Sequence, residues 1–456
     1  MAGPALRSSL KARAAARPFR GAGWPGYSRG MAAGLTLVLA DRSPGRPALS
    51  ALAGAVESDA SARGVALRSA RGREALLSSV REALSGGGAA VVAWTFFSFS
   101  FAEVSDDLGW LRERLGSPRL LHLAGGPHAS AEPAETLRAG FDLVAIGEGE
   151  GTLAALLGRL LRGQEPRGPG LAWLEEGELR RGGRAPAVDL DACPPGSPTL
   201  GWLGPVEITR GCVHACRFCQ TPFLAGARLR HRSVEAVAEW VRFAAPRGLR
   251  DVRFLTSSAL AYGSADGSPR LDRVEALLAA VRAAAGPRGR IFLGSFPSEL
   301  RPEHVSAEAL DLLRRYVHND NLIVGAQSGS GRLLAASHRG HGVEEVRRAV
   351  RLIREAGFQA QVDFIFGMPG ETPEDAAATR LLMAELADRG ARVHAHAFLP
   401  LPGTPWRDAA PGSVDAATGR LLEHLAGRGR AFGPWRRQEG IASGLATRRR
   451  RAAASP

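Results

Sequence analysis

Cysteine is scarce, with four residues in a chain of 456. A chain this long and this poor in cysteine is not built on disulfides, which belong to small cysteine-dense secreted domains. Lysine is scarcer still: Lys11 stands alone among abundant Ala, Gly and Arg, which reads as a genome-composition bias rather than a charge pattern. Long apolar runs are also missing. None approaches the roughly 18 residues a spanning helix needs, so no membrane span is expected. The net charge of +14 suggests a polyanionic partner until it is located. Residues 1–33 carry +6 without one acid and residues 428–456 carry +7, leaving +1 for residues 34–427. A nearly neutral body excludes a broad electrostatic footprint for nucleic acid.

What is present is an ordinary globular composition, 45% hydrophobic and 23% charged, long enough for two or three domains. The acid-free segment 1–33 has the make-up of an organellar transit peptide, but reads more simply as a disordered extension, or as sequence ahead of a start at Met31. Residues 441–456 read as a basic disordered tail. The protein is expected in the cytoplasm.

Three of the four cysteines fall within eight residues: Cys212, Cys216 and Cys219, in the stretch VEITRGCVHACRFCQTP that starts at Val206. Three thiolates so close can ligate three irons of a 4Fe–4S cluster and leave the fourth open. Structural zinc takes four ligands, commonly two C-x2-C pairs. Only one such pair exists here, His214 sits too close for an easy tetrahedron, and Cys193 lies in a Pro/Gly-rich connector. With Phe218 before the last cysteine, the C-x3-C-x-aromatic-C array resembles the signature of the radical S-adenosylmethionine (radical SAM) enzymes. In that family the amino and carboxylate groups of SAM chelate the open iron.

Ahead of the array, short apolar strands alternate with helices. Strands are expected at Leu35–Ala40, Val65–Ser69, Ala89–Trp94, Leu120–Ala124 and Val144–Ile146, which implies a doubly wound parallel sheet with any ligand at the carboxyl ends of its strands. Residues 34–162 resemble the cobalamin-binding domain found in front of many radical SAM domains. The resemblance rests on the strand end at Asp41, the GGPHA loop from Gly125, and the D-x-V-x-I-G-E-G-E run from Asp142. It implies cobalamin contacts at Asp41, Thr95, Gly125, Gly126, Gly147 and Glu148. The chain departs from the D-x-H-x-x-G pattern of domains that supply histidine to cobalt, since Asp41-Arg42-Ser43-Pro44-Gly45 has none. Tight strand–helix turns need glycine whatever they bind, so a fold that carries no cofactor remains open.

Residues 163–205 read as a linker with a small hairpin within Leu171–Leu179. From Val206 the alternation resumes, with strands expected at Val206–Ile208, Val252–Leu255, Ile291–Gly294, Leu322–Gly325, Gln361–Phe366 and Val393–Phe398. Six units over 206–410, followed by an extension over 411–440, match the partial (β/α)6 barrel of radical SAM enzymes, whose chemistry sits at the carboxyl ends of the strands. The strand-end segments are similar to the family's in order. They imply SAM contacts at Phe218, at Thr256-Ser257-Ser258 where the family often has Gly-Gly-Glu, at Ser295, at Gln327 and Ser328, and at Gly367 and Glu371. Thr372 also caps the next helix, a role that needs no ligand.

The resemblance implies a 4Fe–4S cluster that reduces SAM to a 5′-deoxyadenosyl radical, which takes hydrogen from an unactivated carbon of a small-molecule or metabolite substrate. The electron would come from a low-potential donor such as a flavodoxin or ferredoxin. If the front domain carries cobalamin, a methyl group on its cobalt could pass to that carbon. A radical SAM enzyme that rearranges, cyclises or oxidises its substrate without cobalamin is the alternative, and a non-catalytic cluster or cobalamin sensor a third. Methylthiotransferases are disfavoured, since they carry three front-domain cysteines and this front domain has none.

Overall fold

The computed structural model describes residues 34–453; the expected extension 1–33 lies outside the described residues. The first half is a seven-stranded sheet of β1 (Leu35–Ala40), β2 (Val65–Ala70), β3 (Ala89–Thr95), β4 (Leu120–Gly125), β5 (Leu143–Ala145), β6 (Leu171–Glu175) and β7 (Glu178–Arg181). Its order is β2-β1-β3-β4-β5-β6-β7, with the first five strands parallel and β6 antiparallel to both neighbours. Every residue of β1 and β3 is buried, as continuous apolar runs demand when helices cover both faces. The helices Arg46–Ser58 and Glu150–Leu161 pack on one face. Arg73–Leu84 and Phe101–Arg114 pack on the other. The sheet is therefore doubly wound, and its strand order reverses between β1 and β3, where such folds open a crevice.

The hairpin expected inside the 163–205 linker forms as β6 and β7, but it extends the front sheet rather than standing apart.

The second half contains β8 (Val206–Glu207), the small antiparallel pair β9 (Thr209–Arg210) and β10 (Arg230–His231), then β11 (Asp251–Leu255), β12 (Arg290–Phe292), β13 (Asn321–Gln327), β14 (Gln359–Phe366), β15 (Arg392–Ala397) and β16 (Ala431–Phe432). Two parallel arcs, β8-β11-β12 and β13-β14-β15-β16, are joined through the bridge Leu300–Val324 into one curved wall. Strand parity sets what faces where. Val252, Phe254, Val324, Val362, Phe364, Val393 and Ala395 join the core under the surrounding helices. The alternate positions face the lumen.

Two boundaries differ from the sequence reading. After the helix Ala416–Gly427, β16 adds a seventh parallel strand, so the alternation runs past residue 410. The segment read as a basic disordered tail is helical to Ala453, as part of Trp435–Ala453. Trp435, Ala442 and Leu445 fall on one helical face and are buried, and that stripe holds the helix down despite its arginines.

Candidate active site

The cysteine loop hangs between β9 and β10. Gly211 (φ +91°) is required there, because a Cβ would lie 2.2 Å from the Arg228 carbonyl. Backbone bonds fix the turns: Cys212 N–H donates to Gly226 O at 3.1 Å, Cys219 N–H to Cys216 O at 3.0 Å, and Arg217 N–H to Ser337 O at 3.1 Å. Cys216 is buried, and Arg339 Nη1 points at its sulfur from 3.6 Å, while Nη2 donates to Gly325 O at 2.6 Å. Burial pushes the Cys212 and Cys219 thiols up, a cost that ligation to a metal removes. Around tetrahedral zinc, sulfurs stand only about 3.8 Å apart. Among the described residues, the only three Cys, His, Asp or Glu ligand atoms all within 4.8 Å of one another belong to Asp363, His394 and His396. Three thiols carried on one loop are a donor set that suits a 4Fe–4S cluster.

The SAM-contact candidates divide. Ser295 is buried with an unpartnered Oγ, and Glu371 keeps Oε1 buried without a partner while Oε2 accepts from Gly367 N–H at 2.5 Å. Gln327, at φ +70°, turns into the lumen over Gly325, where a Cβ would lie 2.7 Å from its Nε2. These groups leave hydrogen-bonding capacity for a ligand. Others are spent on the fold. Ser257 Oγ donates to Gly211 O at 2.8 Å, tying β11 to the cysteine loop. Thr256 Oγ1 donates to Ser258 O at 3.2 Å, and Ser258 Oγ lies 3.4 Å from His304 Nδ1. Ser328 Oγ is 3.2 Å from Thr379 Oγ1 and accepts from Ser330 N–H at 3.1 Å. Gly367 packs against the chain, with a Cβ only 2.3 Å from Ser413 N, and Phe218 joins an apolar cluster with Met368 and Phe398.

All six cobalamin-contact candidates line one cavity of about 1220 Å³ between the front sheet and the barrel. Asp41, Thr95, Gly125, Gly126, Gly147 and Glu148 come from the carboxyl ends of β1, β3, β4 and β5. The opposite wall is Leu255, Ser295, Phe296 and Pro297, and Phe296 stands 72% exposed within it. The floor packs too tightly for side chains at two of its glycines: a Cβ on Gly126 would be 2.6 Å from Thr95 Oγ1, and one on Gly45 would be 2.9 Å from Thr95 Cγ2. The two carboxylates are not free. Arg46 grips Asp41, and Arg230 together with the Val188 N–H (2.8 Å) holds Glu148. Arg210 joins the same junction, 3.3 Å from Glu148, 2.5 Å from Glu150 and 2.6 Å from Glu207. Burial pushes the Glu148 carboxyl up, but its bonds to Arg230 and Val188 and the charge of Arg210 bring the net shift down. This junction staples the front domain to the barrel.

A further group was not anticipated. On the lumen side of the barrel, His394 Nδ1 lies 3.0 Å from Asp363 Oδ1 and 3.2 Å from His396 Nε2. The signal was available, since two histidines at i and i+2 of a strand share one face. His128, in the GGPHA segment, is instead buried on a short helix against Phe101, with Nδ1 3.1 Å from Ser98 Oγ.

Residues 206–383 match the Radical SAM superfamily. The chain is 28% identical over 351 residues to an uncharacterized protein of Methanopyrus kandleri, covering 64% of this chain and 63% of that protein. It is 33% identical over 215 residues to a tRNA-2-methylthio-N(6)-dimethylallyladenosine synthase of Shewanella baltica, covering 46% of this chain and 43% of that protein. The chain thus spans less than two thirds of the length of these curated relatives. Among solved structures, the radical S-adenosylmethionine methyltransferase TsrM of Kitasatospora setae, with cobalamin and a 4Fe–4S cluster bound, superposes at TM-score 0.65 and 20% identity over 82% of this chain and 74% of that one. The cobalamin-dependent S-adenosylmethionine radical enzyme OxsB, with aqua-cobalamin bound, gives TM-score 0.61 at 16% identity over 76% and 51%. Both likenesses run through the front sheet as well as the barrel.

Proposed function

From a chain that belongs to the radical SAM superfamily through residues 206–383, we propose an enzyme that binds cobalamin in its front domain and methylates an unactivated carbon. The observation that carries the reading is the single cavity. The glycine floor at the carboxyl ends of the front strands and the barrel's Leu255 and Ser295 line the same space, so a cofactor on one wall faces a substrate on the other. The cluster, when bound, supplies the electron that cleaves SAM, and cobalamin, when bound, supplies a carrier for the methyl group.

The chain's own part is to hold and to shield. Cys212, Cys216 and Cys219 ligate the cluster, and Arg339 donates to the Cys216 sulfur. Ser295, Gln327 and Glu371 offer unpaired polar groups to SAM. Gly147, with open space where a side chain would stand, leaves room for a large ring over Gly125 and the tightly packed Gly126, and the Glu148–Arg210–Arg230 junction keeps the domains shut so that solvent is excluded. The electron donor would be a low-potential protein such as a flavodoxin or ferredoxin. Among the described residues, no helix is long and apolar enough to cross a membrane.

A second reading, hydrogen abstraction without cobalamin, is favoured by one observation: the Asp41 and Glu148 carboxylates are taken by arginines and offer a cofactor little. Counting iron and cobalt per chain after anaerobic purification with added cobalamin separates the two. Cobalt with iron, together with transfer of label from methyl-labelled SAM, supports the methylation reading. Iron and 5′-deoxyadenosine without cobalt would replace it with the second. A protein that holds cluster or cobalamin yet never cleaves SAM would be a sensor.

A further inference from the structure

The barrel lumen carries acid that the cofactor reading does not use. Glu299 follows β12 on the inward side: its neighbours Ser298 and Leu300 bridge Thr256 and Val324, and Leu300 belongs to the outer core. The pairing of Leu300 with Val324 sets Glu299 level with Ile323 and Gln361, both of which line the cavity. Asp363 and His394 sit one inward position further along, in the row of Gly325. Glu299 is open to the lumen, yet protein surrounds it. The surrounding protein first, and then the charge of Asp363, raise its carboxyl above the usual carboxylate range, against the opposing pull of Arg339 and His394. The neighbouring cations are engaged elsewhere. Arg339 is directed at Gly325 O and Cys216, while Arg253 lies over the Phe292 ring and Arg392 over Phe432. Glu299 has no ion pair among the described residues.

We propose that this wall, Glu299 and Asp363 backed by His394, seats a protonated amine of the substrate. The proposal rests on the lumen being the substrate site of a radical SAM enzyme, and it narrows the substrate to a molecule bearing a cationic nitrogen. An ammonium group donates three hydrogen bonds and supplies the positive charge that Glu299 lacks. The cavity's wall at Ile323 and Gln361 lies in the same row as Glu299, which puts this group beside the space a substrate would fill.

The competing occupant is a divalent metal ion at Asp363, His394 and His396, and hydrogen-bond accounting argues against it. Gln438 Oε1 accepts from Ala397 N–H at 3.0 Å, so its amide nitrogen is the atom 3.2 Å from His396 Nδ1, and it donates there. Burial holds His396 neutral, with its pKa down at about 4. With Nδ1 taken by Gln438, a metal at Nε2 would have to displace the proton shared with His394, so His396 is the weak member of such a site.

The test is calorimetric titration of the cluster-loaded, full-length protein with propylammonium chloride, with 1-propanol as the uncharged match and manganese(II) chloride as the metal probe. Iron content and dithionite-driven SAM cleavage of the same wild-type sample are measured first, and a failure there falls on the enzyme reading alone. Propylammonium is expected to bind, propanol to bind at least about tenfold more weakly, and Glu299→Gln to lower the amine affinity by about tenfold or more. Asp363→Asn is expected to act in the same direction, and Glu299→Gln, on the lumen-facing surface, keeps the test alive if Asp363→Asn does not fold. Equal affinity for amine and alcohol, no amine binding, or amine binding unmoved by Glu299→Gln would overturn the proposal. So would manganese binding that His394→Ala abolishes, which would make the wall a metal site.

Discussion

Arg339 Nη1 lies 3.6 Å from the sulfur of Cys216, the most deeply buried of the three clustered cysteines, and its other nitrogen is anchored on Gly325 O. Hydrogen bonds to cluster sulfurs raise reduction potential. Arg339→Leu should retain iron and shift the cluster potential to a more negative value in an EPR-monitored redox titration. An unchanged potential would mean that the guanidinium serves only to brace the β13 backbone.

Cys216→Ala should lose bound iron and 5′-deoxyadenosine formation together, because three ligands are the minimum that leaves one iron open for SAM. SAM cleavage persisting in that variant would move the site elsewhere.

The domain junction turns on Arg210, whose side chain is 12% exposed among Glu148, Glu150 and Glu207. Burial opposes its charge, yet Glu207 and then Glu150 hold its pKa well above the ordinary value. Arg210→Met strands carboxylates near a low-dielectric interface, a loss of about 3 kcal/mol. Urea unfolding should show the front-domain and barrel transitions separating or the midpoint falling; a midpoint within error of wild type would deny the junction its role.

Gly126, at φ +88°, closes against Thr95 and Phe96 N, which lies 3.0 Å from a built Cβ. Gly126→Val should abolish cobalt retention while iron stays at wild-type level, because the strain falls on the front-domain floor and not on the cysteine loop. Cobalt retained in full would place any cobalamin off this floor.

Glu371 gives a pH signature. Burial, with smaller contributions from Asp375 and Asp415, raises its carboxyl from 4.5 to about 7, against the Gly367 N–H bond and Arg380. Between those two values the folded chain keeps a proton that the unfolded chain has released, so this group's contribution to stability falls as pH rises through the window and levels off above about 7. Glu371→Gln should therefore gain on wild type at pH 8 and match it near pH 4, read as the difference between the two denaturation curves at each pH. A constant difference across pH would remove the assignment.

The strands of both halves could be read ahead of the structure because each pairs an apolar run with a glycine, proline or acidic stop; β1 and the helices Arg73–Leu84, Val234–Ala244 and Ala307–Tyr316 fall where periodicity put them. β16 escaped because two residues carry no periodicity, and Trp435–Ala453 because its buried stripe is diluted by arginines that charge counting assigned to solvent. Sequence shows the strand-end hydroxyls of Ser257 and Ser328 as donors but not the Gly211 carbonyl and the Thr379 hydroxyl that each already meets inside the fold. The lumen wall of Glu299, Asp363 and His394 was invisible for a different reason. Its members come from β14, β15 and the segment that follows β12, and only barrel closure brings them to face the same space.

The helix Trp435–Ala453 leaves the barrel and reaches back to the front domain, where Arg448 donates to Ser98 O at 2.9 Å across 350 residues of sequence. A contact that remote is late in synthesis and slow to find, whereas the strands β1 to β7 can pair once residue 181 has emerged. The glycine floor of the front domain therefore exists before the barrel that roofs it. The order of synthesis thus leaves the closing of that floor to the last helix of the chain.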